Sequence, residues 1–115
     1  MDFGIDISKA GLPSVDRPWL KYYEAGRADA PMPSCTLYEL FDKNNRHHPD
    51  DIAIYYLNRE VSYGEMTRWI DRCAQSLLAL GVRRNDIVTI ATPSMPEAIY
   101  VVYALNRIGA EANMI

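Results

Sequence analysis

The sequence is poor in the residues that usually carry chemistry. It has three lysines, Lys9, Lys21 and Lys43, and two cysteines, Cys35 and Cys73. The cysteines stand far apart and form no C-x-x-C, which excludes a zinc ribbon or dithiol redox site and fits a reducing compartment. There is no G-x-G-x-x-G after a strand pattern, no Walker A loop and no G-x-S-x-G elbow. No serine has an adjacent histidine to activate it, and the carboxylates show no acid/base spacing. His47 and His48 are neighbours, but adjacent side chains on a helix diverge by about 100° and do not converge on one ion. No catalytic residue and no metal ligand is therefore assigned. No apolar run approaches the roughly 20 residues that span a bilayer. The opening MDFGIDISKAG has early acids and no apolar core, so no secretory leader is expected, and the expected location is cytoplasmic. A net charge of −3 with scattered arginines argues against a nucleic-acid partner, which needs a basic face.

What the chain does contain is a succession of α/β signals. Residues 1–35 are punctuated by proline and glycine and read as an extended arm, with one helical turn expected over Arg17–Glu24 behind an Asp16 cap. The body is expected over residues 36–115. Thr36 with Glu39 is a capping box that opens a helix closed before Pro49. Ile52–Leu57 and Glu60–Ser62 read as a β-hairpin turning at Asn58-Arg59. Ser62 with Glu65 is a second capping box. It leads a helix whose apolar stripe is Met66, Trp69, Ile70, Cys73, Ala74, Leu77 and Leu78. Gly81 closes that helix, and Val82 is placed for the hydrophobic contact of a Schellman end.

The last thirty residues organise the rest. Ile87–Ala91 is a β-branched run that predicts a strand buried on both faces. Ser94 with Glu97, and Pro96 between them, predict a third capped helix over Met95–Ile108. Gly109 fits its left-handed end, and Ala110–Ile115 reads as a second strand. Strand, helix and strand at this spacing make a βαβ unit with parallel strands. Ligands of such sheets bind at the carboxyl ends of strands, where helix N-termini favour anions. That singles out the loop Thr92–Ser94, and Thr92 and Ser94 are the candidate cofactor-binding residues. The helix over Met95–Ile108 is apolar almost all round, which predicts burial on more than one side. Its Tyr100/Tyr103 side and the open edge of Ala110–Ile115 are expected to drive self-association of the chain.

From Thr36 onward the chain resembles the start of the AMP-forming adenylate synthetases: acyl-CoA synthetases, amino-acid-activating domains and luciferases. The similar stretches are TLYELF at Thr36, PDDIAI at Pro49, NREVSYGEM at Asn58, LGVRRNDIVTI at Leu80, PSMPE at Pro93 and LNRIGA at Leu105. Asn58 and Asn85 stand where the family usually has glycine, and Ser94 where it has asparagine. The resemblance implies a partial N-terminal subdomain of the acyl-CoA synthetase-like fold. It implies a ligase that activates a carboxylic acid with ATP and Mg and passes the acyl group from AMP to coenzyme A. The family's phosphate loop and catalytic lysine have no matching positions in this sequence, so the 115-residue chain alone is expected to be inactive. Two readings compete with it: a non-catalytic α/β module that binds a partner through Tyr100/Tyr103, and a flavodoxin-like binding domain. The latter needs more parallel strands than the pattern supplies.

Overall fold

A computed structural model describes Gly11 and residues 13–115. The opening stretch before Gly11, with Lys9, lies outside the described residues. Contacts divide the chain into a unit ending at Met32 and a unit over Pro33–Ile115.

The first unit holds one turn of helix, α1 (Pro13–Asp16), and a 3-10 turn over Pro18–Tyr22. The expected turn at Arg17–Glu24 thus starts one residue later, and Asp16 ends α1 instead of capping the 3-10 turn. Arg17 takes the cap position in the left-handed region, with φ 43°.

The second unit runs α2 (Leu37–Asn45), β1 (Ile52–Tyr56), β2 (Arg59–Ser62), α3 (Tyr63–Ala79), β3 (Ile87–Ile90), α4 (Pro96–Ile108) and β4 (Glu111–Met114). β1 and β2 are an antiparallel hairpin, and β3 and β4 are a parallel pair joined through α4. The α/β class and the βαβ unit are as expected. At α2 both halves of the capping box form: Thr36 Oγ1 accepts from Glu39 N at 3.1 Å, and Glu39 Oε2 accepts from Thr36 N at 2.7 Å. At α3 only half forms. Ser62 Oγ accepts from Glu65 N at 3.2 Å, while the Glu65 carboxylate turns to Arg59. α3 ends in the Schellman pattern, with Val82 N donating to Leu77 O and Gly81 N to Leu78 O.

Two local expectations are corrected. The hairpin turns at Leu57-Asn58, one residue earlier than Asn58-Arg59, and Arg59 pairs with Tyr56. Both turn residues have positive φ, 43° and 60°, as a primed two-residue turn requires. Asn58 accepts this readily, and Leu57 does so at a cost of about 1–2 kcal/mol. The Ser94–Glu97 capping box does not form. Pro96 fixes the first helical residue and holds Met95 extended, so Met95 is the cap and it makes no side-chain bond.

The core lies on both sides of α4. On one side Val61, Met66, Ile70, Ala74, Tyr100 and Ala104 are buried together, flanked by Phe41 of α2. On the other, Leu105 and Ala110 pack with Ile90 of β3, and Leu77 and Ile108 touch both clusters. The apolar circumference of α4 is thereby explained within the unit. The Tyr100/Tyr103 side is not a free surface. Tyr100 is 3% exposed, and the Tyr103 ring packs on Phe41 with centroids 5.0 Å apart. The α3 stripe faces α4 more than a sheet, and Trp69, at 37% exposure, lies at its margin. β3 is buried on one face only: Ile90 is inside, but Ile87 is 69% exposed and Thr89 faces outward. With two strands and one helix, the sheet has nothing on its outer face among the described residues.

Candidate functional site

The carboxyl end of β3 leads through Ala91–Met95 into α4, and the structure separates the two candidate residues. Ser94 lines an apolar cleft of 460 Å³ together with Ile54, Tyr56, Met95, Ile99 and Met114. This cleft spans the hairpin, the start of α4 and the end of β4, so it lies where ligands of α/β sheets bind. Its volume is in the range of small-molecule sites, and Ser94 supplies a hydroxyl in a largely hydrocarbon wall. Thr92 is not part of that wall. Its hydroxyl is taken up locally, its one proton shared between Pro93 O at 3.4 Å and Met95 Sδ at 3.3 Å.

The loop is poorly built for phosphate. Pro96 removes one backbone donor from the first turn of α4, and Ala98 N already donates to Met95 O at 3.1 Å. Glu97, exposed in the same turn, adds a negative charge that disfavours an anion there. The described lysines are Lys21, in the first unit, and Lys43, exposed on α2. A nucleotide's phosphates therefore do not fit the residues at this strand end. The wall of the cleft suits a mostly apolar group.

A second cluster sits where β2, α3 and α4 meet. Arg59 Nη2 donates to Glu65 Oε1 at 2.9 Å, and Trp69 Nε1 donates to the same oxygen at 3.4 Å. These bonds, the Arg59 one foremost, hold the Glu65 carboxyl below its ordinary range. The Trp69 ring stacks on Tyr100 with centroids 6.4 Å apart, and the Arg72 guanidinium covers Trp69 at 5.0 Å. Burial pushes both Tyr100 and Cys73 up. The Tyr100 hydroxyl is buried without a hydrogen-bond partner. Nothing in the sequence marks this cluster, because it joins residues from three elements. His48 stays on the surface beside Asp51 at 3.5 Å, and no group of three metal-ligating side chains converges among the described residues.

Comparison with known proteins gives a consistent result. The family described as AMP-binding enzyme matches residues 41–115. The chain is 35% identical over 104 residues to the phosphinothricin tripeptide synthetase PhsC of Streptomyces viridochromogenes, covering 88% of this chain and 10% of that protein. It is 39% identical over 79 residues to an acetyl-coenzyme A synthetase of Phycomyces blakesleeanus, covering 64% and 12%. The Klebsiella oxytoca NpsA N-terminal subdomain superposes with a TM-score of 0.67 at 26% identity, over 70% of this chain and 21% of that one. The nonribosomal peptide synthetase FmoA3 superposes with a TM-score of 0.70 at 28% identity, over 75% and 10%. The chain spans 10% to 12% of the length of these two curated relatives.

Proposed function

Because the chain belongs to the family of AMP-binding enzymes, we propose that it forms the leading part of an acyl-CoA synthetase, an arm over residues 1–35 followed by a body over 36–115. The longer protein activates a carboxylic acid with ATP and Mg, releasing pyrophosphate, and transfers the acyl group from AMP to coenzyme A. The observation that carries this reading is the family match across nearly the whole of the second unit, joined to 39% identity with an acetyl-coenzyme A synthetase.

Within that protein this chain supplies scaffold and one wall. The strand-end loop carries no phosphate cradle, so the nucleotide is held by residues outside this sequence. The 115-residue chain by itself is accordingly without adenylating activity. Thr92 and Ser94 divide the remaining work. Thr92 ties the loop to Met95, and Ser94 presents its hydroxyl to whatever apolar group enters the cleft.

A second reading is favoured by the 35% identity to a tripeptide synthetase over 88% of the chain: the activated acid is an amino acid. The test is product identification with the longer protein. It is given ATP, Mg and coenzyme A with simple aliphatic acids or with amino acids, and adenylates and thioesters are followed by mass spectrometry. Coenzyme A thioesters of the aliphatic acids are expected. Aminoacyl-adenylates without any coenzyme A thioester would select the second reading.

A further inference from the structure

We propose that α2 is a hinged flap on the rest of its unit, and that Asn106 of α4 is the latch that holds it closed. No residue of α2 is buried, and its two ends are held in different ways. Past its C-terminal end the chain turns at Arg46–His48 and is then tied by its backbone to the start of α3. There Gly64 N donates to Pro49 O at 2.8 Å, and Tyr63 N donates to Asp51 O at 2.9 Å. That end is the pivot.

The other end is held from α4. Tyr38 is the second residue of α2, so its N–H has no partner within the helix. The local capping box does not reach it, because Thr36 Oγ1 accepts from Glu39 N. Asn106, 68 residues further along the chain, supplies the acceptor: its Oδ1 takes the Tyr38 N–H at 2.7 Å. Arg107, beside it, lays its guanidinium over the Tyr38 ring at 5.0 Å and pairs with Asp71 of α3. Between pivot and latch, the Phe41 ring rests on Tyr103 and Tyr63, with centroids 5.0 Å and 5.9 Å away. Next to Phe41 a cleft of 400 Å³ separates α2 from β1, lined also by Leu40, Ala53 and Tyr63. Contacts beside such a void are fewer than in a close-packed core, so this element is the one that opens at least cost. Ile54 and Ile99 line this cleft and also the one at Ser94, so an open flap enlarges a space that adjoins the candidate site.

The test is native-state hydrogen exchange of the 115-residue chain, read in α2 and α3 at several low urea concentrations. Amides from Phe41 to Asn45 should exchange through a local opening that urea hardly changes. The central amides of α3 should exchange through global unfolding and speed up with urea. Asn106→Ala leaves the Tyr38 N–H without its acceptor and should speed exchange in α2 about tenfold. Asn106→Asp keeps an acceptor at a helix N-terminus, where negative charge is favoured, and should hold the original rate or slow it. Circular dichroism checks that each variant is folded, and the urea series on the unaltered chain decides the hinge by itself. One opening shared by α2 and α3, unchanged α2 rates in Asn106→Ala, or Asn106→Asp as fast as Asn106→Ala would each overturn the proposal.

Discussion

Ile70→Ala probes the arrangement on which the rest of the fold depends, α3 seated on α4. Ile70 is fully buried, beneath the α4 surface that carries Tyr100 and Ala104. The substitution removes three carbons, about 2.4 kcal/mol of transfer free energy at roughly 0.8 kcal/mol each. The cavity adds to this. Ala74 and Ala104 have no side chain to reach into it, and Tyr100 is held by its stack on Trp69. Collapse is therefore limited, and the expected loss is about 3–4 kcal/mol, inside the usual range of about 2–5 for such changes. With a urea dependence of roughly 1–3 kcal/mol per molar, the unfolding midpoint falls by about 1–4 M. Ile70→Val should cost about 1 kcal/mol. Leu80→Ala, at a side chain 82% exposed, should stay within about 0.5 kcal/mol. A loss below about 1 kcal/mol for Ile70→Ala, with unchanged m, would mean that α3 does not pack on α4 as described.

Three further outcomes rest on particular groups. Tyr100→Phe removes a buried hydroxyl that has no partner, and thermal unfolding should show a gain of about 1 kcal/mol or no loss; a clear loss would mean that the hydroxyl is bonded. Thr36→Ala breaks the complete capping box and should cost about 1 kcal/mol by urea denaturation, while Ser94→Ala, which caps nothing, should cost almost none. Glu65 is held below its ordinary value of 4.5 by Arg59, so its contribution is present above that value and is lost as pH falls through the lower folded pKa. Arg59→Gln should flatten the loss of stability measured below pH 4.5, and an unchanged acid limb would remove Arg59 from the account.

Local signals in the sequence carried most of the element order. The Thr36–Glu39 box, the Gly81-Val82 helix end and the strand–helix–strand spacing around α4 are each set by a few neighbouring residues, and each forms as expected. The failures have equally local causes. At the hairpin, Asn58 marked the turn but not its position within the turn, and pairing of Arg59 with Tyr56 decided that. At α4, Pro96 outweighed the Ser94–Glu97 spacing because it fixes the first helical residue. The burial of Tyr100 and Tyr103 was not legible at all. A helix apolar on every side does not reveal which side its neighbours cover, and here α2 and α3 cover the tyrosines. Of the candidate site, the strand-end loop was readable from the βαβ pattern. The cleft was not, because its walls come from the hairpin and from Met114 as well as from that loop.

The central claim, that this chain is the leading part of an adenylate-forming ligase, is tested most directly by carboxylate-dependent exchange of labelled pyrophosphate into ATP. The longer protein should catalyse exchange when a carboxylic acid and Mg are present, and should stop when the acid is withheld. The 115-residue chain should give no exchange under the same conditions. A longer protein without exchange for any acid, simple or amino, would contradict the ligase account, and exchange by the 115-residue chain would contradict the role assigned to it.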